Sequence, residues 1–280
     1  MTTLIEDRAG QGIDGDRDGA AYRVTLRRVT RSEWTKLLSL RSTWIVLVAM
    51  AVVTVGVAAG TGWAYEQRIS DGEVEAGAAR AVGSAFLALE LAGLVIGVLG
   101  VLQMSGEYSS GLIRASLAAV PRRLPLLWAK ALVLIGLTFP FMVLICLASF
   151  ETVLLFAPSD HSGLADDGVV RAIVGAAAYP VGIGLLGLAI GTLIRHTAGA
   201  VTTLVVTMLV VPAIILALPE AVRDAIGPYL PITAGQAMFG MGLGEEPVGM
   251  LSPGAGAVVM LGWIAVLLGA AAVLLRRRDA

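Results

Sequence analysis

The chain has 280 residues, of which 57% are hydrophobic and only 15% are charged, with a formal net charge of −1 and a mean hydropathy of +0.84. A soluble domain is about 45–50% apolar even when glycine is counted, so this composition excludes an ordinary soluble protein. Apolar runs of about 20 residues recur along the chain and predict an all-α integral membrane protein.

Residues 1–20 are polar, acidic and rich in glycine, and the first apolar run begins only at Trp44. A cleavable signal peptide has an apolar segment close to the N-terminus, so this pattern argues against one. We therefore predict that residues 1–20 form a disordered cytoplasmic tail.

An amphipathic helix at the membrane interface is predicted over residues 21–42. Thr30 and Glu33 form a T-x-x-E capping box, and Val29 and Trp34 are spaced for a hydrophobic staple at the same helix start. The apolar face consists of Trp34, Leu37 and Leu38, and the basic residues placed to reach headgroups are Arg31, Lys36 and Arg41. Such a division of faces is typical of interfacial helices. The alternative is a basic anchor next to the membrane without an ordered helix.

Six apolar segments within residues 43–275 are each predicted to form a membrane-spanning helix. Their approximate bounds are 43–63, 82–103, 126–156, 170–194, 198–218 and 254–275. Glycine pairs four residues apart permit close helix approach, and they occur at Gly56 and Gly60, Gly93 and Gly97, and Gly187 and Gly191. Residues 219–253 are too broken by proline and glycine to span, and we predict a short helix and a partly re-entrant loop there.

The basic residues predict the orientation of the six spans. Segments expected outside hold four of the 20 Lys and Arg, namely Arg68, Arg80, Arg171 and Arg223. The inner segments hold the other 16, including the basic end at 276–280. Because cytoplasmic loops carry an excess of Lys and Arg, both termini are predicted to be cytoplasmic.

A short cytoplasmic helix is predicted from Glu107 to Val120, between the second and third spans. The stretch from residue 104 to residue 123 carries four charges that a bilayer core disfavours: Glu107, Arg114, Arg122 and Arg123. An Arg or Asp at the bilayer centre costs about 2.5–3.5 kcal/mol, so the region is not expected to span. Ser105 is placed to cap the first turn, and Pro121 to end the helix. The apolar face consists of Tyr108, Leu112, Ile113, Leu117 and Val120.

The sequence lacks the motifs of several catalytic centres. Neither of its two lysines, Lys36 and Lys130, lies in the G-x-x-x-x-G-K-[ST] loop that binds ATP phosphates. His161 and His196 are expected on opposite sides of the membrane, which argues against a metal site built on them. Cys146 is the single cysteine, which excludes an intrachain disulfide. We predict no catalytic residue, no metal site and no enzymatic activity in this chain.

Two acidic residues lie inside apolar runs, where an ionisable side chain is a candidate functional group. Glu90 lies about a third of the way into the second span and is a candidate for lining a substrate path. The alternative is that its carboxyl group is protonated or bonded to a neighbouring helix. Glu151 lies near the outer end of the third span, within reach of the headgroups.

Several motifs in order carry a resemblance to a known family. The sequence T-x-x-E-W-x-K-L-x-x-x-R-S-T-W begins at Thr30, G-E-Y-S-S-G-L-I-R-A-S-L-A-A-V-P-R-R begins at Gly106, L-W-A-K ends at Lys130, and P-I-T-A-G-Q-A-M begins at Pro231. From about Arg23 to Arg278 the chain resembles the permease subunit of an ABC exporter of the type-two class, which exports drugs and antibiotics.

The resemblance implies a role for both amphipathic segments. It makes the helix from Glu107 to Val120 a coupling helix that docks on a separate ATP-binding subunit. Its implied contact residues are Glu107, Tyr108, Leu112, Arg114 and Leu117. The helix before the first span becomes a connecting helix that also touches that subunit, and the residues implied in it are Thr30, Glu33, Trp34, Lys36 and Arg41.

The resemblance also implies partners and a location. Two permease copies would pair in the inner or plasma membrane of a bacterial cell, with spans two and five lining the path. ATP and magnesium would bind in the partner subunit, so no cofactor is expected in this chain, and no nucleic acid is expected to bind. The apolar spans suit an amphipathic or hydrophobic cargo such as a drug, antibiotic, lipid or peptide. The alternatives are a proton-coupled secondary transporter and a non-transporting membrane anchor or immunity protein.

Overall fold

The computed structural model describes residues 25–113, 124–240 and 250–277. Every regular element within these ranges is a helix. Six helical stretches are long and apolar enough to cross a membrane: Arg41–Ser70, Leu89–Ser109, Leu124–Phe156, Val169–Ile194, Thr197–Leu216 and Pro253–Arg277. This confirms the predicted helical fold with six candidate spans. The predicted tail, residues 1–20, lies outside the described residues.

The α-helices are numbered here in chain order. They are α1 (Leu26–Ser39), α2 (Arg41–Ser70), α3 (Ala78–Ala85), α4 (Leu89–Ser109), α5 (Leu124–Phe156), α6 (Val169–Ile194), α7 (Thr197–Val205), α8 (Val211–Leu216), α9 (Glu220–Ile226), α10 (Pro231–Phe239) and α11 (Pro253–Arg277). A π-helical segment, Val206–Val210, joins α7 to α8, so that the fifth span is one continuous helical stretch.

Two of the predicted spans differ clearly from the structure in their boundaries. The first span was expected to end near residue 63, but α2 continues to Ser70, and the chain turns at Gly72 with a φ of +72°, which glycine adopts at little cost. The second span was expected from residue 82 as one helix. The structure instead breaks it between α3 and α4, and this break places Phe86 edge-on against Phe239 with ring centroids 5.9 Å apart.

Helix α6 forms the centre of the bundle. In its most apolar stretch 89% of the residues are buried, against 17% for the fifth span. It packs most extensively on α4. The predicted close approach is confirmed here, because a Cβ at Gly187 would overlap the carbonyl oxygen of Gly97. Gly100 and Gly184 meet in the same way, so the two backbones touch without side chains between them.

The glycine pair in the first span behaves differently. Among the described residues, nothing lies within 4 Å of a Cβ added at Gly56 or Gly60, so the close approach that this pair permits is not used there. Both glycines are on the outer side of α2, because the residues that α2 buries, such as Ala58 and Gly62, lie on another face.

Within their described part, residues 219–253 form two short α-helices joined by a single 3-10 turn, Gly227–Tyr229. The predicted short helix is present as α9, and α10 adds a second one that packs on α6 and α11. Arg171 of α6 donates hydrogen bonds to the carbonyl oxygens of Met238 at 3.2 Å and Gly240 at 3.0 Å, at the C-terminal end of α10. A cation is favourable at this end of a helix. Residues 241–249 lie outside the described residues.

The loop between α5 and α6 is held to α2 by a second polar network. Asp160 accepts hydrogen bonds from the hydroxyl of Tyr65 at 2.8 Å and from the backbone N–H of Gly77 at 3.2 Å. Ser162 donates to it through both its hydroxyl and its backbone N–H. Burial alone would raise the pKa of Asp160, but these hydrogen bonds outweigh it and lower that pKa below its ordinary value.

The packing of α4 on α6 leads to a stability prediction. We expect Gly100→Ala to destabilise the protein by about 1–3 kcal/mol, because the new methyl group overlaps the backbone of Gly184. The matched control is Gly60→Ala, where the methyl group meets open space and the helix gains about 0.5–1 kcal/mol. Thermal unfolding of the two variants in one detergent measures the difference. Equal stability of both variants would contradict the packing described.

Candidate functional site

Helix α1 starts earlier than its sequence motif predicts. Thr25 is the N-cap, and its hydroxyl oxygen accepts from the backbone N–H of Arg28 at 3.4 Å. Thr30 lies inside the helix, where its hydroxyl donates to the carbonyl oxygen of Leu26 at 2.9 Å. The predicted capping box of Thr30 and Glu33 is therefore wrong, as is the staple at Val29. Nothing in the residues after Thr25 breaks a helix, and Glu33 is engaged elsewhere.

The buried face of α1 consists of Val29, Glu33 and Leu37, spaced four residues apart. This face packs on α5. Trp34 is 37% exposed, and its ring lies over Gly136 of α5, where an added Cβ would come within 3.2 Å of it. Arg41, predicted as the end of this helix, is instead the first residue of α2. An ordered amphipathic α1 is thus present, with a carboxylate at the centre of its buried face.

Four charged side chains from three helices meet at this face. Lys130 of α5 donates to Glu33 and to Glu107, the latter near the end of α4, at 2.7 Å each. Lys36 of α1 donates to the same two carboxylates, at 2.7 Å and 3.2 Å. We refer to Glu33, Lys36, Glu107 and Lys130 as the charge cluster. Its two positive and two negative charges cancel.

Burial makes the charge cluster a tight connection between helices. The side chains of Lys130, Glu33 and Glu107 are 3%, 7% and 12% exposed. A charge taken out of water is costly unless it is paired and hydrogen-bonded, and here each one has an opposite charge within 2.7 Å. Lys36 is half exposed. Partial burial opposes its charged form, but hydrogen bonds and charges of Glu33 and Glu107 raise the pKa of Lys36 above its ordinary value.

The position of Glu107 corrects the sequence prediction. It was expected in the first turn of the coupling helix, after a cap at Ser105. The structure continues α4 to Ser109, and Ser105 is a buried residue within it that donates to the carbonyl oxygen of Val101 at 2.9 Å. Residues 103–109 contain no proline, and pairing with Lys130 allows Glu107 to remain in the bundle. The turn comes at Gly111, with a φ of +72°.

The other predicted contact residues separate into three groups. Tyr108 lies under the guanidinium of Arg195, 5.1 Å from the ring centroid, which is a cation–π contact between α4 and the turn after α6. Leu112 is 60% exposed, whereas Ile113 is 4% exposed and belongs to a core cluster that includes Met104 and Leu127. Arg114 and Leu117 lie outside the described residues.

Lys130 is the member of the charge cluster that the sequence analysis missed. It was counted as an inner basic residue at the start of the third span, not as a partner of Glu33 and Glu107. The signal was available, since a lysine within an apolar run requires a partner. The chain has two lysines, and both belong to the charge cluster.

Glu90 lies apart from the charge cluster, in the first turn of α4. Its carboxylate is exposed and accepts a hydrogen bond from the amide of Gln236 in α10. Glu90 is thus bonded to a neighbouring helix, as the alternative interpretation of this residue expected. Its role in a substrate path stays a prediction. Within the described ranges, no group of three or more His, Cys, Asp or Glu side chains is placed to hold a metal ion.

The chain was also compared with known proteins. No protein-family model matches the sequence, and no curated protein matches it significantly. The resemblance noted in the sequence is therefore an expectation that rests on its motifs, and the function is inferred from the charge cluster and the residues around it.

The charge cluster yields a prediction that separates its buried and exposed members. Lys130→Met leaves two buried carboxylates without their nearest cation, and we expect a loss of about 3–5 kcal/mol in stability. Lys36→Met is the matched control, because that side chain is 49% exposed, and its loss should cost at most about 1 kcal/mol. Thermal unfolding in detergent compares the two. A loss from Lys36→Met as large as that from Lys130→Met would refute the assignment of Lys130 as the central residue.

Proposed function

We propose that this chain is the membrane-spanning permease subunit of an ATP-driven exporter in a bacterial cell membrane. The observation that carries the proposal is the charge cluster, which joins α1, the end of α4 and the start of α5 in one place. The short segment 111–113 lies beside the charge cluster, and its Leu112 is 60% exposed. A partner that pushes on this segment would move three helices together.

Three further observations support the proposal. The sequence has no phosphate-binding loop, so a separate subunit would supply ATP hydrolysis with its magnesium. The excess of Lys and Arg in alternate loops favours an orientation with the charge cluster on the cytoplasmic side, where ATP is available. The fifth span is little buried within the chain, which leaves its surface for lipid or for a second permease copy.

The proposed mechanism is alternating access. ATP binding would bring the partner subunits together and displace the segment around Leu112. The charge cluster would pass this displacement to α1, α4 and α5, and the glycine contacts between α4 and α6 would carry it to the centre of the bundle. The spans would then rock between inward-facing and outward-facing states, and an amphipathic or hydrophobic compound would leave the cell.

A second candidate, a proton-coupled transporter, is favoured by one observation. Glu90 is a carboxylate in the first turn of an apolar span, hydrogen-bonded to Gln236, and ionisable residues within spans are candidates for proton relays. The two functions differ in their energy source. A proton-coupled carrier would move its cargo in vesicles with a pH gradient and no ATP-binding subunit, whereas the proposed exporter would move none under those conditions.

The docking role of Leu112 can be tested by capture of the partner. The tagged chain is co-expressed with the ATP-binding protein encoded by a neighbouring reading frame, and the amount that co-purifies is measured. We expect Leu112→Asp to reduce capture about tenfold, because a charge replaces an exposed apolar contact. Leu164→Asp is the control, since Leu164 is also exposed but lies in the loop at the other end of α5. Undiminished capture by Leu112→Asp, or no capture by the unmodified chain, would contradict the proposal.

A further inference from the structure

The side of α1 opposite Lys36 carries two exposed arginines, Arg27 and Arg31. Arg27 lies nine residues before Lys36, which is two and a half helical turns and therefore the opposite side. Neither arginine has an ion pair or a side-chain hydrogen bond among the described residues. They are four residues apart, so their side chains are neighbours on the helix surface. Two adjacent positive charges on this side of α1 are thus free to bind an anion from outside the chain.

Arginines at the other end of the bundle are engaged within the chain. Arg68 pairs with Glu73 at 3.5 Å, and Arg80 donates to the carbonyl oxygen of Glu75 at 2.7 Å. Arg171 donates to two carbonyl oxygens at the end of α10. The lack of an acceptor for Arg27 and Arg31 is therefore a particular property of α1 and not of arginines throughout the described chain.

An apolar wall adjoins the two arginines. Trp34 lies three residues after Arg31 on the same side of α1, and its ring lies over Gly136 of α5. Leu132, one turn before Gly136, is 50% exposed, and Trp128, one turn earlier still, is 44% exposed. The arginines thus lie beside two indole rings and a stretch of exposed hydrocarbon. We refer to this surface as the amphipathic patch, which consists of Arg27, Arg31, Trp34, Trp128 and Leu132.

The charge of the amphipathic patch is not balanced by α1 itself. Glu33 is the one acidic residue of this helix, and it is buried in the charge cluster. Of the three basic residues that the sequence placed near headgroups, only Arg31 belongs to the patch, because Lys36 is bonded to two carboxylates and Arg41 begins α2. Guanidinium groups bind phosphate oxygens through paired hydrogen bonds, and indoles favour the headgroup level of a bilayer.

We propose that the amphipathic patch binds an anionic phospholipid. Arg27 and Arg31 donate to its phosphate, and one acyl chain lies along Trp34 and Leu132. A zwitterionic lipid carries its own cation beside the phosphate, so the two guanidinium groups favour a lipid with a net negative charge. The bound lipid would lie on the side of α1 that the charge cluster leaves open. This binding does not rest on the proposed function.

The test measures lipid binding to the purified full chain in detergent by native mass spectrometry. Phosphatidylglycerol and phosphatidylcholine with identical acyl chains are titrated separately, because both contain a phosphate but only the first is anionic. We expect the first phosphatidylglycerol to bind about tenfold more tightly than the first phosphatidylcholine, since two charged contacts distinguish them. Inorganic phosphate at the concentration of the lipid should not displace phosphatidylglycerol, because it has no acyl chain to lie on the apolar wall.

Double variants locate the site. Arg27→Gln with Arg31→Gln should lower the affinity for phosphatidylglycerol about tenfold, to that for phosphatidylcholine, and leave the latter unchanged. Arg27→Lys with Arg31→Lys should keep the preference, because both charges remain. The matched control is Arg276→Gln with Arg277→Gln, which removes the same charge from two exposed arginines in the last turn of α11 and should also keep the preference. All these side chains are exposed, so the unfolding temperature in detergent should not change.

Three outcomes of the lipid titrations would overturn the inference. They are equal affinity for the two lipids, a preference that survives the loss of Arg27 and Arg31, and an equal loss in the Arg276 and Arg277 control, which would assign the selectivity to net charge alone. Displacement of the lipid by inorganic phosphate would likewise reject a lipid site.

Capture of the ATP-binding protein by the Arg27 and Arg31 variant separates this inference from the proposed function. Reduced capture with an unchanged lipid preference would assign the arginines to a protein partner and overturn the lipid site. A lipid preference in a chain that captures no ATP-binding protein would retain the amphipathic patch and reject the exporter. Equal affinity for the two lipids with intact capture would reject the patch alone.

Discussion

A lysine ammonium that is almost fully buried requires carboxylates close to it, and this requirement fixes one end of the helical bundle. Lys130 is 3% exposed and has Glu33 and Glu107 at 2.7 Å. Because these carboxylates come from α1 and α4, the three helices keep their relative positions as long as the ammonium stays buried. An apolar contact would allow the helices to slide past one another at a lower cost in free energy, because apolar groups have no directional partner.

The glycine contacts between α4 and α6 extend this constraint into the middle of the bundle. Gly97 and Gly100 bring the two backbones together, so a displacement at the end of α4 is not absorbed by flexible side chains. The chain therefore combines a charged connection at one end with a rigid central pair of helices. The fifth span is less constrained, because it is mostly exposed and includes the π-helical segment Val206–Val210. This segment precedes Pro212, which has no backbone N–H to donate to the regular series of helical hydrogen bonds.

Composition and the lengths of the apolar runs were sufficient to predict six helical spans. A run of about 20 apolar residues is long enough, as a helix, to cross the hydrocarbon core of a bilayer. Local motifs predicted helix ends less well. The T-x-x-E motif at Thr30 indicates a helix start, but Glu33 has a stronger partner in Lys130, nearly a hundred positions away. The same ion pairing keeps Glu107 within α4. The break before Leu89 depends on packing against α10, which no local pattern records.

The proposed exporter requires the charge cluster to act as one connected unit, and a double-mutant cycle measures this directly. Glu107→Gln, Lys130→Met and the double variant are compared by thermal unfolding in nanodiscs, with the free energy of unfolding as the readout. Two residues that share a buried ion pair should show an interaction energy of at least about 1 kcal/mol, so that the double variant is less destabilised than the sum of the single variants. Effects that add within about 0.5 kcal/mol would show that the helices are held independently and would contradict the account.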